Sequence, residues 1–597
     1  MKQYSIWSNY RFAYGPLWRK KKKIVFCTLA EAVLSVLVPI AGTAITAAIV
    51  GSLKPGVRMG KLAVMILAVF LGYSVLNMLK VYFEARGNPQ YIEVRTELFL
   101  LDPIRKDLTI SEEQSEDADI RRLKEKAGFC IYSNDDGIEG FFHDNSDLLK
   151  NVLGLVVYSL LIGGMNWKIL LMLTGMSAVS AAAGHWVTCY SRKVRDGLAQ
   201  ESMTMNYINR IVDDVPSGKD IRLFGLEKWL IGKYDKAIHN MRRISFGKDI
   251  REYGSNILDI VLNALRDFVC YLYLIIMLAQ GMEISRFVFF LGIIGGFSNW
   301  LGKVSKSIVA VKRDSDMIGD LRIYLDLDTG TEGTEKESMD RQNSAEIVFD
   351  HVSYRYGGAK EDTLKDVSFR LAAGEKLALV GINGAGKTTI VKLMSGLYFP
   401  TQGTVYVNGI STKELDRSGY FAKQAAVFQE SFLTSYSIGE NVALEETYDA
   451  ERVWKSLSQA GLYEKVSGLD RQLDTHLGKD IQEDGIALSG GEIQKLLLAR
   501  VLYRNAALIM LDEPTAALDA LAETEVYEKY KALLKHKTVL FISHRLASTR
   551  FCDRILVLSE GRIREEGTHA ELMRAQGEYY HMFRVQSKYY QQEGSDF

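Results

Sequence analysis

The feature that most constrains this chain is a set of long apolar runs confined to roughly its first half. Ile24–Val50 carries a single charge, Glu31, and Leu62–Leu79 carries none. Val152–Trp167 and Ile169–Gly184 form a neutral pair interrupted only by Lys168. Phe268–Met282 and Phe287–Gly302 form another, split by Glu283–Arg286. A helix needs about 20 predominantly apolar residues to cross the hydrocarbon of a bilayer, and each run approaches that length with its weakly polar flanks. One such run could be a buried helix of a soluble core. Six with this pairing predict six membrane spans.

The flanks orient them. Arg19 and Lys20–Lys23 precede the first span, and cytoplasmic flanks carry the excess of Lys and Arg. The turns after the third and fifth spans are short, with Lys168 and Arg286 as their cations, whereas the stretches around 80–151 and 186–255 are long and charged. Lys54, Arg58 and Lys61 run against this order, but the N-terminal cluster is denser. Both termini are therefore expected in the cytoplasm. The opening residues lack the small-residue cleavage site of a secretory signal. Asp117–Lys126 and Asp220–Lys236 alternate apolar and charged residues at helical spacing. They predict helices that run out of the membrane and fold back, which implies a cytoplasmic partner domain. The polar stretch TGTEGTEKESMDRQNS, 329–344, reads as a linker. The expected organisation is a membrane domain over 1–328, this linker, and a second domain over 345–597.

Composition excludes other classes. Lys+Arg and Asp+Glu are both 73, so the chain has no basic surplus for nucleic acid and no acidic tail. The five cysteines, Cys27, Cys130, Cys189, Cys270 and Cys552, are scattered without CxxC pairing. That argues against a disulfide framework and a thiolate zinc site.

From Ala345 short apolar strands alternate with amphipathic helices, an α/β pattern. KLALVGINGAGKTTIVKLMSGL sets an apolar strand, a Gly-rich loop and a helix in order, and Gly381–Thr388 matches G-x-x-x-x-G-K-[ST]. The glycines Gly381, Gly384 and Gly386 let backbone N–H groups close around phosphate oxygens, with Asn383 between them. Lys387 reaches the β/γ-phosphates of ATP, Thr388 offers a hydroxyl to Mg2+, and the helix that carries Thr389 adds its positive end. A second strand ends in LIMLDEP, which puts Asp512 in position to hold Mg2+ and Glu513 in position to orient or deprotonate the attacking water.

With these elements in place, the second half resembles the nucleotide-binding domain of ATP-binding-cassette transporters. The decisive stretch is LSGGEIQKLLLAR, Leu488–Arg500, which resembles that family's signature motif. Gln429 in AAVFQE, Asp519 in AALD and His544 in FISHR match its Q-loop, D-loop and switch histidine, and Tyr356 in SYRYGG matches the aromatic residue on which adenine stacks. The resemblance implies that two such domains meet head to tail, so that Ser489, Gly490 and Gly491 of one contact the γ-phosphate held by the other. His544 would contact that phosphate too, and Gln429 would join Thr388 and Asp512 around Mg2+. Six spans before one such domain are similar to an exporter-type half-transporter. That implies an all-helical membrane domain joined to an α/β P-loop ATPase domain with a helical subdomain, acting as a homodimer or heterodimer; the 8 prolines and the brevity of the chain point to a bacterial inner membrane as its setting. Its coupling helices are expected near Glu116–Lys124 and Val215–Phe224, and Glu483 stands at the acidic position ahead of the signature. Departures are few: Glu492 replaces the usual Gln, and Ala516–Ala517 replace a D-loop Ser.

The expected function is ATP-driven export of a peptide, lipid or amphipathic small molecule. An exporter-shaped importer of siderophore-like cargo and an ATP-dependent sensor are the alternatives. Intact Glu513 and His544 favour a working motor over the sensor. Charges inside spans mark candidate sites. Glu31, Arg266 and Asp267 either pair to hold helices together or line an inward-facing cavity, while Tyr271, Tyr273 and Met277 are expected to pack.

Overall fold

The computed structural model describes residues 4–53, 59–87, 90–328, 344–428, 432–513, 533–543 and 546–592. It divides into two compact units, one of Met1–Leu108 with Asp119–Leu327 and the other of Thr109–Ala118 with Asp328–Phe597. The expected linker lies outside the described residues except for Ser344.

The helices of the first 328 residues are α1 (Ile6–Lys20), α2 (Lys22–Ser52), α3 (Met59–Gly87), α4 (Gln90–Leu98), α5 (Leu101–Thr109) and α6 (Glu112–Glu116). They continue with α7 (Ala118–Tyr132), α8 (Gly137–Met165), α9 (Trp167–Asp213), α10 (Val215–Leu223), α11 (Glu227–Ala279) and α12 (Ile284–Leu325). Six described helices are long and apolar enough to cross a membrane, beginning at Lys22, Gly60, Gly137, Trp167, Glu227 and Ile284. The chain is a multi-pass membrane protein. Helices α9 and α11 have 47 and 53 residues, about 70 and 80 Å at 1.5 Å per residue. Hydrocarbon is only about 30 Å thick, so both continue well beyond it, as their charged ends require. The core of this unit gathers Val36, Tyr158, Ile162, Leu173, Cys270, Leu274, Ile293 and Phe297 from α2, α8, α9, α11 and α12.

The second unit is built on two sheets. Strands β1 (Ile347–Tyr354), β2 (Leu364–Leu371), β4 (Gln402–Val407) and β5 (Ile410–Ser411) form an antiparallel sheet in the order β2-β1-β4-β5. Strands β3 (Lys376–Val380), β6 (Gln424–Val427), β7 (Leu508–Asp512), β8 (Thr538–Ile542), β9 (Arg554–Ser559) and β10 (Arg562–Gly567) form the other, β10-β9-β3-β8-β7-β6. It is parallel except for the β9–β10 hairpin. Every residue of β7 and β8 is buried. Strands covered on both faces read as continuous apolar runs, and LIM and TVLFI are such runs. Helices α13 (Lys387–Met394), α14 (Arg417–Ala422), α15 (Ile438–Ala443), α16 (Ala450–Ala460), α17 (Tyr463–Ser467) and α18 (Gly490–Arg504) complete the part that concerns the site. Residues of α15, α16 and α18 share a separate core that includes Val442, Leu457 and Leu496.

Candidate nucleotide site

The Gly-rich loop runs from the end of β3, in the middle of the parallel sheet, into α13. A Cβ on Gly381 would stand 2.1 Å from the carbonyl oxygen of Leu558, so the loop approaches β9 more closely than any side chain permits. Gly386 caps α13 with φ 107°, a left-handed conformation that other residues adopt at a cost. Within this turn Lys387 is 6% exposed. Its ammonium donates to the carbonyls of Gly381 at 2.8 Å and Ile382 at 3.0 Å. Burial lowers the Lys387 pKa, while Glu513 and Asp512 pull it back.

Two strands away, β7 delivers the carboxylates. Asp512 ends the strand at 3% exposure, and its Oδ2 accepts a hydrogen bond from the Thr388 hydroxyl at 3.3 Å. Burial, and then the charge of Glu513, pushes the Asp512 carboxyl up to about 6. Glu513 follows with φ 51°, and its N–H donates to the carbonyl of Ile542 at 3.0 Å. A non-glycine residue in this region is strained, and here the strain turns the chain at the strand end. Tyr356 follows β1 of the antiparallel sheet. Its hydroxyl is 3.0 Å from that of Thr389, and its ring packs edge-on to Tyr354 and Tyr398.

The Gly381–Thr389 loop and helix, Asp512 and Glu513 therefore converge on one end of the parallel sheet, and Tyr356 reaches the same helix through Thr389. Ser489, Gly490 and Gly491 stand apart at the start of α18, and no hydrogen bond or ion pair among the described residues links Ser489 to Lys387, Thr388 or Asp512. Gln429, Asp519 and His544, with Ala516–Ala517, lie outside the described residues.

Glu492 has a local explanation. Ser489 caps α18, its N–H and hydroxyl donating to Glu492 Oε2 at 2.8 and 2.9 Å while the Glu492 N–H returns a bond to Ser489 Oγ. Glu and Gln both close such a reciprocal cap. The bonds from Ser489 hold the Glu492 carboxyl below its usual range.

The second unit also takes in 109–118, a segment from between the second and third spans. At the start of the expected coupling position, Glu116–Lys124, Glu116 ends a short helix, Glu112–Glu116, capped by Ser111, whose hydroxyl accepts the Gln114 N–H. Asp117 breaks the helix, and α7, which holds most of the expected stretch, returns to the membrane unit. Ser-Glu-Glu-Gln at 111–114 is the start signal that would have located it. Glu116 meets Lys392 of α13 and Tyr398, two residues that carry no motif. The second expected position, Val215–Phe224, coincides with α10, which is capped by Asp214.

In the membrane unit Glu31 is 1% exposed and pairs with Lys150 at 2.5 Å, not with Arg266 or Asp267. Those two pair with each other at 2.7 Å. Glu31 and Arg266 also line separate cavities. Tyr273 packs in the membrane core, and its hydroxyl accepts from Asn166 at 2.9 Å.

Comparison with known proteins agrees with this geometry. The profile of the family described as ABC transporter matches residues 364–516. An ATP-dependent lipid A-core flippase of Cupriavidus metallidurans is 30% identical over 439 residues, 71% of each chain. The subtilin transport ATP-binding protein SpaT of Bacillus subtilis is 31% identical over 376 residues, 62% of this chain and 60% of that one. A flippase of the same description from Burkholderia orbicola is 41% identical over 39% of either chain. The chain thus spans less than two thirds of the length of some relatives it matches and more of others. A bacterial Atm1-family ABC exporter with ATP bound shares the fold, with a TM-score of 0.78 at 22% identity, over 95% of this chain and 99% of that one. The chain belongs to the ABC transporter family, as an exporter-type half-transporter that carries an ATP-binding domain after its six membrane helices.

Proposed function

We propose that this chain, paired with a second half-transporter, couples ATP hydrolysis to export of a lipid, a peptide or another amphipathic molecule. The observation that carries the proposal is the meeting of the loop after β3 with the end of β7, across β8. There the loop lysine, the Thr388 hydroxyl and two successive carboxylates stand at one sheet end, in a chain that also has six membrane-spanning helices. The lipid A-core flippases and the subtilin transporter act on one cargo of each kind by name, which supports the breadth of the cargo class. The proposed setting is a bacterial inner membrane, with both termini and the ATPase domain cytoplasmic, a reading that the flanking charges and the bacterial relatives support.

Each residue then has a physical task. Lys387 leaves its two carbonyls for the β/γ-phosphates, a charge-assisted exchange that favours the anion. The loop N–H groups and the start of α13 hold the phosphate oxygens. Glu513, turned out of the strand by its positive φ, orients or deprotonates the attacking water, with His544 beside the γ-phosphate. Ser489, Gly490 and Gly491 of the second subunit close the site, and Tyr356 supports the adenine. Support for Mg2+ comes from Asp512: a buried carboxylate beside a second carboxylate, compensated by one hydroxyl, suits a divalent cation held with Thr388 and Gln429. When bound, that ion neutralises charge on the β- and γ-phosphates.

The test is ATP turnover by the purified full chain in lipid, beside Glu513→Gln. Turnover in the wild type that the variant abolishes supports the proposal and a self-sufficient homodimer. Binding of ATP without turnover in both would mean that this chain needs a different second half.

A further inference from the structure

Ser489 opens α18, a helix of 15 residues, and under the transport proposal it meets a γ-phosphate held by the second subunit. A helix N-terminus carries roughly half a positive charge and attracts anions. In this chain that end already faces an anion of its own. Glu492 Oε2 accepts from the Ser489 N–H at 2.8 Å and from its hydroxyl at 2.9 Å. Those bonds first, and Lys465 after them, hold the Glu492 carboxyl below its usual range. It is therefore ionised at neutral pH, and its charge opposes an approaching phosphate.

Lys465 meets the oxygen that the cap leaves over. Its ammonium stands 3.5 Å from Glu492 Oε1, while Oε2 is taken by Ser489. Among the described residues it is the one cation within ion-pair distance of Glu492. The backbone that carries it is anchored. Val466, the next residue of α17, is fully buried in the core that also holds Leu496 and Leu497 of α18. Tyr463 sets its ring edge-on to Trp454 of α16, 5.3 Å between centroids.

The Lys465 side chain is 49% exposed and that of Glu492 25%. An ion pair this open to water adds little to stability, so its charge matters more to what approaches the helix than to the fold. The Gln that usually stands at 492 closes the same cap with no charge and needs no such partner.

We infer that Lys465 is a positioning residue of the ATP site, holding Glu492 by Oε1 and offsetting its charge so that the start of α18 accepts the γ-phosphate. The inference rests on the transport proposal, with a second copy of this chain as the other half. The pair carries no net charge. Without Lys465 a negative charge is left beside the phosphate, without the Glu492 charge a positive one, and without both the balance returns.

ATP turnover by the full chain in lipid, titrated with ATP, tests this in K465M, K465R, E492Q and K465M/E492Q. The half-maximal ATP concentration should rise about threefold in K465M, as loss of one partly exposed charge implies. The maximal rate should move less than that concentration does. K465R should stay near the wild type, and K465M/E492Q should return to it. Inhibition by ADP, which has no γ-phosphate, should be alike in the wild type and K465M. An unchanged half-maximal concentration in K465M would overturn the inference. So would an equal rise in K465M/E492Q, or an equal weakening of ADP, since either would mean that Lys465 serves only the packing of α17 and α18. ATP binding without turnover in the wild type would remove the self-sufficient dimer, and the inference with it. Turnover that ignores Lys465 would leave the transport proposal standing alone.

Discussion

Glu116 and Tyr398 are joined by a 2.5 Å hydrogen bond from the tyrosine hydroxyl to the carboxylate, across 282 residues of sequence. The same carboxylate takes the Lys392 ammonium at 3.1 Å, and Lys392 lies over the Tyr398 ring. Lys392 belongs to α13, the helix that opens with Lys387 and Thr388, and Tyr398 touches both Tyr354 and Tyr356. One acidic residue from the stretch between two membrane spans therefore grips the helix and the aromatic cluster that frame the nucleotide site. Burial and the bond to Glu116 raise the Tyr398 pKa, which keeps the hydroxyl a donor.

Cutting this contact should uncouple the ATPase from its cargo. Glu116→Gln keeps the shape and removes the charge that Lys392 answers, and Tyr398→Phe removes the other bond. ATP turnover in lipid is expected to persist in both, while its stimulation by transported compounds falls about tenfold or more, as about 1.5–3 kcal/mol for a hydrogen bond to a charged group implies. Full stimulation in both variants would mean that the contact is packing alone.

The cap of α18 sets up a second prediction. Glu492 holds Ser489 in place, yet it puts a carboxylate beside the hydroxyl proposed to meet the γ-phosphate of the second subunit. Glu492→Gln preserves the reciprocal cap and removes that charge. The ATP concentration for half-maximal turnover should fall, with thermal stability nearly unchanged. Glu492→Ala should instead lower stability by about 1 kcal/mol through loss of the cap. Calorimetry beside a turnover titration separates the two effects.

Much of the nucleotide site was legible because its parts are contiguous. One strand, one loop and one helix turn carry Gly381 through Thr389, and the apolar strand ahead of Asp512 announces its burial. Six spans were legible for a similar reason, since apolar runs need no knowledge of their neighbours. Partnerships between distant segments were not. Nothing near Glu31 points to Lys150, and nothing in KLMSGLY marks Lys392 and Tyr398 as receivers of Glu116. Ahead of the first expected coupling position the short helix Glu112–Glu116 went unread, because the periodicity in 117–126 is that of the returning helix α7. The five-residue helix before it shows only in its cap.

Asp512 makes the apo site sensitive to pH. Its carboxyl is pushed up to about 6 from an ordinary 3.8, so between those values the folded state binds the proton more tightly than the unfolded chain does. The apo protein should gain stability from this group as pH falls through about 6, and that gain should be complete below about 4. Asp512→Asn should stabilise the apo protein at pH 7, by at most about 3 kcal/mol, and flatten the difference between pH 7 and pH 5.5. The Mg2+ requirement runs the other way, since the cation must displace the proton: the Mg2+ concentration needed for turnover should rise below pH 6. Unfolding temperatures of both proteins across that interval, with Mg2+ titrations of the wild type, check both signs.

Glu31 and Lys150 decide how the membrane unit tolerates charge. Glu31 Oε1 meets the ammonium at 2.5 Å, while Oε2 is buried without a hydrogen-bond partner. Removing either charge alone leaves the other in a poorly solvated place, and breaking a buried pair from one side costs about 3–5 kcal/mol. Asp147, 3.2 Å from the same ammonium, is mostly exposed and softens the loss of Glu31 more than it could soften the loss of Lys150. Lys150→Met should therefore destabilise the protein more than Glu31→Gln does, and the double variant should recover most of what Lys150→Met loses. Thermal unfolding of the three in one detergent measures the order. Additive losses in the double variant would mean that the two charges do not stabilise one another.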